Sequence, residues 1–309
     1  MKPMLTVIIP FKNEGEEVFK TVASLRQMAD NDINFIVIND ASDDGFDYSG
    51  ISSINNVEYI LHDKSFGPAQ SRQHGVDLCQ TNFFILVDAH MRAMTKGWDR
   101  IVLEPVQKYR NAIFCCVTYD MIENAKSKIC RQGYGATIKL EDVSCKWISH
   151  SFIKDNKTII EVPCVLGASY ISNKEYWNRI GGLKGLLSYG CEEQLLSIKT
   201  YLDGGKCYVL SNVEFSHKFR KAKETPYNPD KAKFIYNHLY IIEIFYPFDL
   251  KARAFQKLKT TYDEHLFEEA ISILSSHREE INKAKLYYRE VLHFDTKTVY
   301  EINNKMLNN

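Results

Sequence analysis

The sequence predicts an α/β fold, with a mostly parallel sheet flanked by helices and a helical C-terminal extension. Three observations predict it. From the N-terminus to about residue 90, short apolar runs alternate with segments of helical period. Two of the runs end on carboxylates, Asp40 and Asp88, at the strand ends where a parallel sheet collects its ligands. Beyond Arg220 the texture changes, and residues 230–309 are rich in Lys, Glu, Tyr and Leu and almost free of Gly.

The elements follow in order. MLTVIIP, residues 4–10, reads as a buried strand closed by Pro10. FKNEGEEVFKTVASLRQM then gives a loop and an amphipathic helix, with Val18, Val22, Leu25 and Met28 at helical spacing. NFIVIND is a second strand ending on Asp40, and ASDDGF is a turn rich in Asp and Gly. VEYILHD is a third strand, GPAQSRQHGVDLCQ a helix, and FFILVDAH a fourth strand. Such alternation implies right-handed crossovers and parallel pairing. Residues 101–160 are less regular, with only AIFCCVTYD strand-like. Residues 174–180 and 191–203 read as helices separated by GGLKG, and KCYVL reads as a strand. The tail from 230 is helical by pattern. Its apolar spacing of Phe234, Leu239, Ile242 and Phe245 is too apolar for a free solvated helix, so it is expected to pack on the first 229 residues.

Composition narrows the function. Lys+Arg and Asp+Glu both number 39 among 309 residues, which gives no global attraction to nucleic acid or anionic lipid. No apolar stretch approaches the roughly 20 residues of a membrane span. The N-terminus does not read as a signal peptide. Eight cysteines lack metal-ligand spacing, so reduced thiols and a cytoplasmic setting are expected. Trp98 and Trp177 read as packing residues; His62, His74 and His150 read as structural or surface groups.

The sharpest local feature is Asp88-Ala89-His90 at the end of an apolar run. Polar residues end strands for solubility. In an extended segment, however, side chains two apart share a side, so a carboxylate and an imidazole here can also share a metal ion.

Six stretches taken in order, FKNE, GPAQSRQHG, VDAH, PCVLGASYISNKEYWNRIGGL, YGCEEQLLSIKTYLDGG and FSHKFR, resemble the nucleotide-sugar glycosyltransferases of GT-A fold. The opening is of family-2 type. The second half is similar to the polypeptide N-acetylgalactosaminyltransferases. The resemblance covers roughly residues 4–245 and implies transfer of a sugar from a UDP-sugar to a hydroxyl on a glycan, a lipid-linked precursor or a protein. It implies a cation held by Asp88, His90 and the distant His217; a mixed O/N set suits Mn²⁺ better than Mg²⁺. It places Pro10, Asp40, Arg72, Gly167, Ala168, Arg220 and Tyr227 on the nucleotide-sugar. Asp40 would accept from the uracil N3–H, and Arg72 would reach the diphosphate. Gly167 and Ala168 would pack against the sugar, with Ala168 standing where the family has Gly. Arg220 and Tyr227 would belong to a loop that closes over the donor.

Glu192 and Glu193 are the candidate catalytic acids. They stand where the retaining enzymes have Glu-Asn and inverting family-2 enzymes have Glu-Asp, so both stereochemical outcomes stay open. Plainer readings exist: a turn Asp at 40, an exposed helix charge at 72, two acids favouring a helix N-terminus at 192 and 193. A sugar-phosphate nucleotidyltransferase is a competing reading, although PFKNEGEE is too acidic for its basic glycine loop. A silent nucleotide-sugar-binding scaffold is another, for which a broken metal triad is expected. The C-terminal helices leave room for a homo-oligomer.

Overall fold

The computed structural model describes residues 3–121, 132–149, 157–220, 224–299, 301 and 304. His150 lies outside them. The N-terminal elements are β1 (Leu5–Phe11), α1 (Glu17–Met28), β2 (Asn34–Asn39), β3 (Val57–Leu61), α2 (Pro68–Leu78), β4 (Phe83–Val87) and β5 (Met91–Ala93). The middle carries α3 (Trp98–Lys108), β6 (Ala112–Asp120), β7 (Gln132–Gly133), β8 (Ala136–Lys139), β9 (Ser144–Trp147), β10 (Ile159–Glu161) and β11 (Ser169–Asn173). Then come α4 (Lys174–Arg179), α5 (Glu192–Leu202), β12 (Lys206–His217), α6 (Lys231–Phe245), α7 (Phe248–Thr261), α8 (Glu264–Ser276) and α9 (Arg278–Val291).

The main sheet runs β10-β12-β6-β11-β4-β1-β2-β3, with β5 beside β12 and β7 beside β6. β4, β1, β2 and β3 are mutually parallel, as the alternation predicts. β1 and β4 are buried along their whole length because both sheet faces are covered. One face packs on α1 and α3 through Val18, Val22 and Val102. The other packs on α2 and α5, and its apolar cluster continues through Ile235, Leu239 and Ile242 of α6 to Ala270 of α8 and Ile281 of α9.

Three elements differ from the sequence pattern. β11 runs antiparallel between β4 and β6, making the sheet mixed. α3 occupies a stretch that looked irregular because Pro105 interrupts its helical texture. KCYVL extends far past Leu210: a register shift between Leu210 and Glu214 lets β12 continue to His217. That bulge could not be read from the apolar run, and it carries a distant histidine to the ligand rim.

Candidate active site

β4 ends at Val87, and Asp88 and His90 follow in the turn to β5. β12 pairs antiparallel with β5, placing His217 opposite Met91, and Lys218 N donates to the His90 carbonyl at 3.0 Å. The ligand atoms of Asp88, His90 and His217 thus all lie within 4.8 Å of one another. His217 Nε2 is 3.1 Å from Asp88 Oδ2, and the two imidazole centroids are 4.6 Å apart. His90 Nδ1 is 3.1 Å from Glu14 Oε1, which leaves Nε2 open to an ion.

The electrostatics fit a cation. Burial would raise the Asp88 carboxyl, but the Arg72 charge and then His217 hold it well below the usual carboxylate range. Burial lowers the His217 imidazole against the pull of Asp88, favouring the neutral form that ligates metals. One carboxylate oxygen and two imidazole nitrogens form a donor set for a transition-metal dication.

Arg72 is 7% exposed and not a surface charge. Its guanidinium lies over the Tyr170 ring at 5.4 Å, donates to Glu192 Oε1 at 3.0 Å, and donates to Asp88 Oδ1. It therefore braces a metal ligand against the first carboxylate of α5. Arg220 is tied to both oxygens of Glu14, so one buried acid holds both His90 and Arg220. Burial pushes the Glu14 carboxyl up, yet the hydrogen bonds from Arg220 and His90 outweigh it and lower it.

Asp40 lines the cleft and is held by its own neighbours. Its carboxylate receives the Phe66 and Gly67 amides, the Ser65 and Ser71 hydroxyls and His62 Nδ1. These contacts occupy the roughly four lone-pair sites of a carboxylate. Asp40 anchors the turn into α2. His62 is engaged on both nitrogens, since its Nε2 is 2.9 Å from His74 Nδ1, so the expected structural role of the two histidines has a definite form.

The α5 carboxylates differ in their surroundings. Glu192 accepts from Arg72 and from the Gly190 amide at 2.9 Å. Glu193 Oε1 lies against the Gly167 Cα, where any Cβ would come within 2.0 Å of it. Burial, then the neighbouring Glu192 charge, pushes the Glu193 carboxyl up to about 7. Burial also raises Glu192, with Arg72 opposing. The two titrate as a pair: burial raises both, and Arg72 opposes the rise more at Glu192 than at Glu193.

These groups share one cleft of about 1020 Å³, which also takes in Pro10, Gly167, Ala168 and Tyr227. Asn13 Nδ2 donates to the Pro226 carbonyl at 3.0 Å, holding the segment that carries Tyr227 on the β1–α1 loop. Four of the seven described non-glycine residues at positive φ line this cleft: Asn13, Ala168, Ser188 and Cys191. Left-handed backbone of this kind collects at functional sites.

Sequence reasoning missed what supports the α5 end. Asn237 of α6 is fully buried. It accepts from Leu187 N at 2.8 Å and donates to the carbonyls of Leu187 and Gly190 at 2.8 and 2.9 Å. The same loop meets the start of α2, where a Cβ on Gly67 (φ +87°) would strike Ser188 Cα at 2.4 Å. Glu14 belongs to the FKNE stretch, which by itself assigns it no role. Nothing in the local pattern around Asn237 marks it.

A model of glycosyl transferase family 2 matches residues 6–168. Human polypeptide N-acetylgalactosaminyltransferase 16 is 23% identical over 234 residues, covering 73% of this chain and 42% of that protein. The human protein called probable polypeptide N-acetylgalactosaminyltransferase 8 is 25% identical over 247 residues, covering 74% and 38%. The chain thus spans about two fifths of the length of these curated relatives. A crystal structure of GalNAc-T7 with UDP, GalNAc and Mn²⁺ superposes with a TM-score of 0.71 at 18% identity, over 90% of this chain and 55% of that one. One of S. aureus TarS 1–349 in complex with UDP-GlcNAc gives 0.53 at 14%, over 98% and 91%. The architecture is the GT-A fold. Among the described residues, no helix is long and apolar enough to cross a membrane.

Proposed function

Because the chain belongs to glycosyl transferase family 2, we propose that its cleft moves a sugar from a UDP-sugar to an acceptor hydroxyl, with Mn²⁺ bound by Asp88, His90 and His217. The observation that carries this reading is the joining of that trio to Glu192 through one buried arginine, Arg72. A silent scaffold has no need to brace a ligand set against a carboxylate pair. The solved relatives named above hold UDP with GalNAc and Mn²⁺, or UDP-GlcNAc, in the same fold.

The cation would neutralise charge on the departing diphosphate. The chain's own residues do the rest. Glu14 fixes the His90 ring and anchors Arg220 at the donor end. Gly167 and Ala168 give the sugar a small-residue floor. Glu193 is the base. It is half-buried beside that floor, Arg72 acts on it less than on Glu192, and its raised pKa suits proton transfer near neutral pH. The acceptor hydroxyl gives its proton to Glu193 and its oxygen bonds the anomeric carbon. The bond from that carbon to the β-phosphate oxygen breaks, and its electron pair leaves with UDP. Attack opposite the leaving group inverts the anomeric centre. α6 is part of the same working unit, since its Asn237 holds the loop that starts α5.

The test is UDP release from a panel of UDP-sugars with Mn²⁺ and no acceptor, beside calorimetry of UDP with and without Mn²⁺. Hydrolysis of at least one donor and metal-dependent UDP binding are expected. No release from any donor, with equal UDP affinity in both conditions, would overturn the reading. NMR of the product's anomeric proton tests the base: a retained configuration removes Glu193 from that role.

A further inference from the structure

The cleft has two unlike ends. Among its described lining residues, the cations are Lys12, Arg72, Lys218 and Arg220. All are engaged at or before the metal trio: Lys12 with the Ala41 carbonyl, Lys218 with Glu17, Arg220 with Glu14, and Arg72 with Asp88 and Glu192. Past Glu193 the wall turns to rings. Tyr189, 44% exposed, stacks on Phe234 with centroids 6.3 Å apart and planes 17° apart. Phe234 meets His238 at 4.7 Å and Tyr262 edge-on at 6.5 Å. Phe234 and His238 lie on α6, and Tyr262 follows α7.

We propose that this end binds a sugar ring of a neutral glycan acceptor, and that the C-terminal helices supply its wall. The proposal rests on the glycosyl-transfer reading of the centre. Two features carry it. The ring end has no described cation to hold a phosphate-bearing acceptor. The open Tyr189 face matches the flat patch of C–H groups that a pyranose presents, while ring edges and the phenolic hydroxyls reach its polar rim.

The full chain is assayed for UDP release from the donor it hydrolyses, with added neutral di- and trisaccharides, a Ser/Thr-containing peptide or a short-chain lipid phosphate. Acceleration by at least one neutral saccharide is expected, with product carrying one more sugar. In Tyr262→Ala the KM for that saccharide should rise about tenfold, more than the KM for the donor, and Tyr262→Phe should restore it. Acceleration by the peptide or the lipid phosphate alone, by no acceptor at all, or equal changes in both KM values, overturns the proposal while leaving the donor reading standing. Absence of UDP release from any UDP-sugar, with or without acceptor, instead overturns the reading beneath it.

Discussion

The proposed donor and acceptor ends of this cleft are built by different means. At the donor end, functional side chains sit on strand ends and are held by charge: Asp88 by Arg72, His90 and Arg220 by Glu14. At the other end they sit at a helix start, where Glu192 shares Arg72 with Asp88 and the surrounding loop is held by neutral contacts. Asn237 grips the 187–190 loop through its amide, and the Phe234 ring lies so close to Gly190 (φ +108°) that a Cβ there would fall 2.5 Å from it. A charged cluster of buried groups must be made whole or not at all, because breaking one pair strands the other charge. A neutral wall can change residue by residue, so a fixed donor chemistry can serve varied acceptors.

The comparison breaks most sharply at the metal trio. His217→Ala should cut transfer by roughly 10³-fold, the order expected when charge stabilisation worth several kcal/mol is removed, and abolish the effect of Mn²⁺ on UDP binding in calorimetry. A variant that keeps metal-dependent UDP binding would show that the donor end does not rest on these three groups.

Next in size is Asn237→Ala, which reaches the α5 start from the tail. It leaves the Leu187 amide and several carbonyls without partners, a loss of about 3 kcal/mol in stability by denaturant titration. Transfer should fall about 10–100-fold, since small misplacements of catalytic groups have effects of that order, whereas UDP affinity with Mn²⁺ holds. A parallel loss of UDP affinity would mean the two ends are one unit.

The pH profile separates the two carboxylates. Glu193 is raised to about 7, so its base form is lost as pH falls, and transfer should drop about tenfold per pH unit below that value. The linked stability has the opposite sign. A raised carboxyl binds its proton more tightly in the folded chain, so this group adds stability at low pH and withdraws it as pH rises from the unfolded value through about 7. Glu193→Gln should give a low, flat rate profile. An acid limb that survives in Glu193→Gln would assign it elsewhere.

The same contrast explains what the sequence made legible. Asp88 and His90 could be read because a strand end is a local event: an apolar run stops, and two residues of metal-binding type follow with the right period. His217 needed the family resemblance, because β12 reaches the rim only through its bulge. The parallel half of the sheet followed from alternation, while antiparallel β11 had no local mark. Asp40 was found from its strand end, but its five donors come from a turn and helix more than twenty residues away and had no local mark. Asn237 and the ring wall depend wholly on where α6 lands, which no window of sequence contains.

The smallest predicted effect tests whether the donor floor is itself under tension. Ala168 has φ +90°, a conformation that favours glycine, and the family resemblance puts Gly there. Its carbonyl accepts from the Asp88 amide at 3.3 Å, so its backbone is tied to the metal turn and cannot relax alone. A Cβ in left-handed backbone costs roughly 1–2 kcal/mol, and glycine's extra freedom in the unfolded chain costs about 0.5–1 kcal/mol. Ala168→Gly should therefore stabilise the protein by about 0.5–1 kcal/mol, seen as a modest rise in Tm, while widening the space beside Gly167. If the methyl also gauges the donor sugar, the variant should accept a bulkier UDP-sugar with a lower KM and leave acceptor KM unmoved. Destabilisation would mean the methyl's packing outweighs the backbone strain. A shift in acceptor KM would mean that the charged and neutral ends meet at this floor and do not vary independently.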